Sequence, residues 1–441
     1  MSLLQIYKPL TMSTILPKTD TWSVFEKISF RFFFTYFILF IFLNNNGAFP
    51  FYGYVNHIFN LGLYEIIPWI GEHILGITYE IRVGPNGSGD TTYDYLLIFT
   101  LFVIAIITAI IWSVIDRKAK SYVKMYYWLT LIVRFYVGLM LINYGLVKVI
   151  QVQFSAPTMY RLTQAYGDSS PMGLAWTFLG FSKGYNLFMG IAEVAAVLLL
   201  FRRTLTFGLI ITLMTTANVM AVNYFYDVPV KILSTHLVIM TAFLLAHSFK
   251  TLWQFFFFRK PIALTDIYKP ALKSIVSKVF LVIKALVLVY VLGFGFYETL
   301  SSRDMYYGEA SKSPLKGFYE VEEFKLNDSI ISCPSKEKKL WKYLMIDGKQ
   351  YAQIKPADSK TQWYKLDVDS VKKSLVLKSY RDTLEVYNLT YMEGDSTDFY
   401  LKGTVKLDTL AIKLQRTKNY KEKFLLTNRG FHWINERPYN R

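Results

Sequence analysis

The 441-residue sequence contains a single cysteine, Cys333. One thiol can form no internal disulfide, Cys-based zinc site or CxxC redox pair, so redox chemistry would have to come from a bound cofactor or a partner protein. Histidine is scarce as well: there are five, with no pair at i, i+4 and no HExxH, and no metal is expected. The glycine-rich run GPNGSGD (84–90) lacks the spacing of a phosphate-cradling GxxxxGK[ST] loop. No continuous basic face with interleaved aromatics occurs, because Phe and Tyr concentrate inside apolar runs, and nucleic acid is not expected as a partner. Internal repeats are missing too, and with them the matching broken helices of a repeat-built transporter.

What the chain has in quantity is apolar surface. Hydrophobic residues make up 53% and aromatics 17%, too much for an ordinary soluble protein. Bilayer-length runs at about 26–43, 93–115, 126–149, 184–201, 204–223, 231–249 and 278–299 predict seven transmembrane helices. Lys27 and Arg31, at the start of the first, are expected to snorkel to the membrane surface. Asn44–Asn46 would be a poor cleavage site, so the first run reads as a retained span and not a cleaved signal. The net charge of +17 sits in short clusters: before residue 26, at 116–124, at Arg202-Arg203 and at 250–277. Every second connection is therefore basic, which predicts a cytoplasmic N-terminus and an outer location for everything after Thr299.

Beyond a linker at 301–314 the pattern changes. From 315 to 441 short segments such as SLVLKSY, TLEVYNLTYM and FYLKGTVKL alternate apolar and polar residues between glycine and acidic turns. The expected architecture is a cytoplasmic segment (1–25), a multi-span α-helical membrane domain (26–300), and a small antiparallel β sandwich or barrel.

Three outer connections, 44–92, 150–183 and Asn223–Lys231, should converge on one face of the helical domain. The first brings Asp90 and Asp94, and also the stretch FNLGLYEIIPWIGEHILGI, which fits an interfacial helix. The second follows Lys148 at the exit of its helix and carries Gln151, Arg161, Gln164 and Asp168. The third brings Asn223, Asp227 and Lys231, with Asp227 placed to cap the following helix. Within the spans lie Arg134, Glu193 and His236. Ionisable groups at that depth cost about 2.5–3.5 kcal/mol to insert, and so pair or line a cavity. Arg134 can snorkel inward, and His236 fits a hydrogen-bonded core position as well as a ligand position. Glu193 suits a proton acceptor or the partner of a buried cation. Lys148 shares a helix face with Tyr144 at i, i+4, beside Gly138 and Gly145, where a ligand or another helix can approach closely.

Arg134 with Gly138, the aromatic-Gly-x-x-Lys ending Tyr144–Lys148, and the Gly-x-x-Glu helix Gly190–Glu193 together resemble the DoxX-like superfamily of membrane proteins over about 126–249. The aromatic-Gly-x-x-Lys ending is also similar to the helical region of bacterial relatives of vitamin K-dependent gamma-carboxylase. The terminal RGFHWINERPYNR resembles multi-span proteins of Bacteroidetes bacteria. These resemblances imply a bacterial inner membrane, a periplasmic β-domain and a quinone as cofactor. In the carboxylase relatives a lysine acts as base on a quinol, a role the resemblance carries to Lys148. Together with the converging loops and the polar residues in the spans, this leads to an expected oxidoreductase-like role with Lys148 and Glu193 as catalytic groups, and with Tyr144, Gln151, Arg161, Gln164, Asp168, Asp94, Asn223, Asp227, Lys231 and His236 around the ligand. Expected partners are membrane lipid and a periplasmic or membrane protein. The alternative is a non-enzymatic anchor that presents the β-domain to an envelope complex.

Overall fold

The computed structural model describes residues 21–264, 268, 270–271, 273–308, 312–330, 340–357, 360–395, 397–417 and 419–438. Cys333 lies outside them. The chain divides into two compact units, residues 1–145 with 192–293, and residues 146–191 with 294–441.

The first unit is helical. It contains α1 (Val24–Leu43), α2 (Tyr52–His73), α3 (Thr92–Ile115) and most of α4 (Val123–Val149). After the end of α7 (Lys183–Val194) come a 3-10 segment (Ala195–Leu200), α8 (Leu205–Phe225), α9 (Lys231–Phe258) and α10 (Ser274–Val289). Six stretches are long and apolar enough to cross a membrane: Thr92–Ile115, Val123–Val149, Lys183–Leu200, Leu205–Phe225, Lys231–Phe258 and Ser274–Met305. The last runs through a π-turn at Tyr290–Phe294 into α11 (Gly295–Tyr307). The first expected span forms the 20-residue α1, which differs from those six in carrying three charged residues, Glu26, Lys27 and Arg31, in its opening turns.

Polar residues inside this unit bind backbone and hydroxyl groups. Arg31 does not snorkel: it is buried and donates to Tyr122 Oη (2.7 Å), Ser113 Oγ (2.7 Å) and the Asp116 carbonyl (3.0 Å). Arg134 likewise turns away from the surface. Its Nε and Nη2 donate to the Leu199 carbonyl at 2.9 and 2.7 Å, satisfying an acceptor that the tight 3-10 end leaves without a helical partner. Gly138, one turn along α4, lets the 3-10 segment close in, since a Cβ there would stand 2.9 Å from Leu200.

The second unit combines the 146–191 connection with a β-barrel. The connection is not an irregular loop, because it folds into α5 (Met159–Thr163), a 3-10 turn (Tyr166–Asp168) and α6 (Pro171–Phe181), followed by the start of α7. Thr158 and Ser170 cap α5 and α6 through their hydroxyls, and Pro171 fits the first turn of α6. In the barrel, strands β1 (Gly317–Leu326) and β3 to β9 (Trp341–Ile346, Tyr351–Pro356, Gln362–Asp369, Ser374–Ser379, Val386–Glu393, Asp398–Val405, Asp408–Thr417) run antiparallel, each beside its sequence neighbour. Pairing of β1 with β9 closes eight strands, so the fold is a barrel and not a sandwich. The short β2 (Ser329–Ile330) folds back on the end of β1. Inward residues such as Leu344, Tyr364, Leu377 and Phe399 fill the interior, as a small barrel requires.

The α5 helix lies against the outside of this barrel. Met345, Gln353 and Trp363 form one cross-strand row on β3, β4 and β5. Thr163 Oγ1 lies 3.6 Å from Met345 Sδ, and Tyr160 packs on Trp363 at a 5.6 Å centroid separation. Gln353, between them, is only 4% exposed although it points outward. Met159 completes the seam by burying itself with Phe318 and Met345, flanked by Tyr343, Tyr420 and Phe424.

Candidate functional site

Lys148 occupies the last turn of α4, where the helix dipole favours a cation. The helix stops just beyond it: Gln151 adopts φ +63°, and its N–H donates to the Lys148 carbonyl at 3.0 Å. This reversal sends the chain back over the helix end, and Lys148 is left 6% exposed. Its ammonium lies 5.7 Å from the Phe154 ring centroid, in the range of a cation–π contact, and Phe154 is held edge-on by Trp176 of α6. Such close folding of α6 over the returning chain requires glycine at 180, where a Cβ would stand 2.1 Å from the Ser155 carbonyl.

Asn186 of α7 reaches the same residue. Its Nδ2 donates to the Phe154 carbonyl at 3.1 Å, and the side chain is 1% exposed. Asn186 Oδ1 and the buried Gln153 Oε1 have no hydrogen-bond partner among the described residues. A buried amide oxygen without a donor costs free energy of about 1–3 kcal/mol, and each is a place for a ligand or water hydrogen. The second unit thus gathers a shielded cation, an aromatic ring and two open acceptors around Phe154.

Sequence reasoning singled out Lys148 and the polar stretch after it, which includes Gln153, but not Asn186 or Phe154. A signal existed for Asn186: it stands with Gly190 and Glu193 at i, i+4, i+7, and all three are buried, so α7 carries one narrow polar stripe. In the first unit, Glu193 is 3% exposed, and its carboxylate is within electrostatic reach of the Tyr144 hydroxyl.

The other expected site residues fall into local groups. Arg161 donates to Gln164 Oε1 at 2.8 Å, and Gln164 Nε2 to the Asp168 carbonyl at 2.8 Å, a short relay that braces the 146–191 connection. Arg161 also lies against Gly173, where a Cβ would stand 2.6 Å away. The Asp168 residue itself is exposed. Asp94 forms a capping box with Thr91 at the start of α3. The 44–92 and 223–231 connections do meet, through Asp90: its carboxylate accepts from the N–H groups of Lys231 (2.7 Å) and Ile232 (2.9 Å), and Gly89 N–H donates to the Pro229 carbonyl (2.8 Å). The cap on α9 is therefore Asp90, from another loop, and not Asp227. Asp227 instead pairs with the Lys231 ammonium at 2.9 Å, and Asn223 Nδ2 ties the turn to the Val230 carbonyl at 3.3 Å.

His236 has both ring nitrogens engaged. Since the Ile232 carbonyl can only accept, Nδ1 carries the hydrogen (2.7 Å), and Nε2 accepts from Tyr36 Oη (2.8 Å), with Phe40 stacked at 3.9 Å. Its position is that of a structural histidine. Among the described residues no three His, Cys, Asp or Glu side chains cluster as metal ligands.

These features define the class: a multi-pass α-helical membrane protein carrying an eight-stranded antiparallel barrel. The chain is similar to the uncharacterized protein YwoB of Bacillus subtilis (strain 168), 42% identical over 103 residues, which is 23% of this chain and 65% of that protein. It therefore spans less than two-thirds of the length of the relative it matches. No family model and no solved structure matches it.

Proposed function

We propose that the protein binds a lipophilic ligand with a polar, carbonyl-bearing head, most simply a quinone, beside Lys148 and serves an oxidoreductase-like role. The observation that carries this reading is a buried ammonium at the end of an apolar 27-residue helix, with unpartnered Asn186 Oδ1 and Gln153 Oε1 in the same small fold. The donor set fits such a head in both redox forms. Lys148 polarises a carbonyl oxygen, while the two amide oxygens accept hydrogen bonds from hydroxyls. A bound quinone would supply the electron-carrying chemistry that a chain with one cysteine lacks, with electrons coming from a partner protein. Glu193, beside Tyr144, is the group suited to hold a proton. The proposed location is a bacterial inner membrane with the barrel in the periplasm: the alternating basic connections support that orientation, and the DoxX-like resemblance supports that membrane.

Purification in mild detergent followed by mass spectrometry of extracted lipids tests this reading. Quinone should be enriched over a control membrane protein, and Lys148→Ala and Asn186→Leu should each reduce it. Control-level quinone in the wild type, or unchanged enrichment in both variants, would refute it.

A second reading has its own support. The α5 helix buries Met159 in the barrel wall and covers Gln353, as expected of a mount that holds the barrel for an envelope partner. Under that reading, deleting the barrel abolishes function in cells while Lys148→Ala and Glu193→Ala are silent.

A further inference from the structure

The first unit contains a cluster of positive charge that the proposed function does not use. Arg134 of α4 and Lys284 of α10 converge on the frayed end of the 3-10 segment. Arg134 takes the Leu199 carbonyl, and Lys284 donates to the Leu200 carbonyl at 2.5 Å with its ammonium 4.0 Å from the Phe201 ring centroid. The two cations are close enough to repel each other, and the charge of Arg202 also acts on Arg134. Among the described residues, no carboxylate lies within ion-pair distance of Arg134 or Lys284. Carbonyl oxygens accept from some of their N–H groups but do not neutralise two like charges held within apolar spans, where the cost of charge is highest.

The surroundings open toward lipid. Arg134 is buried, Lys284 half-buried, and Phe201, Leu281 and Ile283 are exposed apolar neighbours. We infer that Arg134 and Lys284 form a binding site for the phosphate of an anionic glycerophospholipid, whose acyl chains lie along Phe201 and the exposed face of α10. The phosphate supplies the missing negative charge, and the apolar rim distinguishes a lipid from a free phosphate ion. Basic pockets between membrane helices are suited to such headgroups. Arg202, at the exposed end, adds to the field but is not required for the geometry.

The test uses the full chain, delipidated in detergent, with three additives: phosphatidylglycerol, phosphatidylcholine and inorganic phosphate. Thermal unfolding and native mass spectrometry read the outcome. Phosphatidylglycerol should raise the unfolding temperature and stay bound, whereas phosphatidylcholine and millimolar phosphate should do neither. Lys284→Gln should weaken phosphatidylglycerol retention by about fivefold, and Arg134→Gln should abolish it. Should Arg134→Gln fail to fold, the edge variant Lys284→Gln decides alone. Equal effects of the two phospholipids, an equal effect of inorganic phosphate, or unchanged retention in Lys284→Gln would overturn the proposal. Quinone content is a separate measurement, and the two can fail independently.

Discussion

The helical unit and the barrel are built inside out relative to one another. In the helical unit the large exposed side chains are apolar, Phe99, Ile107 and Leu281 among them, while Arg31, Arg134, Glu193 and His236 are buried. The barrel does the reverse: it buries Leu344, Tyr364 and Phe399 and places its ion pairs outside, such as Lys413–Glu322 at 2.8 Å and Lys406–Asp382 at 3.2 Å. The difference follows from the solvent. In water, removing apolar surface drives folding, so a barrel gains most from a packed hydrocarbon interior. In lipid that drive vanishes between helices, and specificity falls to close packing and polar contacts such as those of Arg31.

This contrast can be broken by mutation. The largest effect is expected for Leu344→Ala, which should cost the barrel about 2–5 kcal/mol through lost burial and a cavity. Hydrogen exchange on the full chain would show faster exchange in β3 and its neighbours, with amides of α3 and α9 unchanged. Next comes Arg31→Ala, which strips donors from Tyr122, Ser113 and the Asp116 carbonyl. A loss of about 1–3 kcal/mol is expected, measured as a lower unfolding temperature of the helical unit; no change would mean that its polar core is dispensable.

Asp90→Ala removes the carboxylate at the start of α9 and should cost about 1 kcal/mol. The diagnostic reading is local: amides of residues 231–235 should exchange faster, while Asp227→Ala leaves them nearly unaltered. The smallest effect belongs to Asp382 in the turn between β6 and β7. The Leu384 N–H, and after it the Lys406 ammonium, hold its carboxyl below the usual range. A depressed folded value stabilises above the unfolded carboxylate value near pH 4 and is lost as pH falls below it. Asp382→Asn should therefore be slightly less stable than wild type at pH 7, and the gap should close below about pH 4 in a denaturant titration of the barrel.

Apolar length made most of the helices legible in the sequence, because a span must be continuous and uncharged whatever its neighbours. The β alternation was equally plain, but sandwich and barrel share it. The choice rests on β1 meeting β9 across some ninety residues, a pairing that no local pattern encodes. The same holds for the site. Lys148 stood out because a cation at a helix exit is locally anomalous, whereas the cap of α9 by Asp90 joins residues 141 apart in the chain. Asp94 shows a related ambiguity, since a carboxylate near a span end reads the same in sequence whether it caps a helix, as it does with Thr91, or binds a ligand.

The seam between α5 and the barrel also bears on synthesis. Met159 leaves the ribosome long before β3 and β9 exist, with roughly 220 residues between Ile191 and the end of the last strand. At about 5–20 residues per second the connection waits on the order of ten to forty-five seconds for its partner. During that interval Met159 and Tyr160 have no barrel wall to cover them. Translation speed and the chaperones that attend the emerging chain thus become part of how this protein reaches its structure.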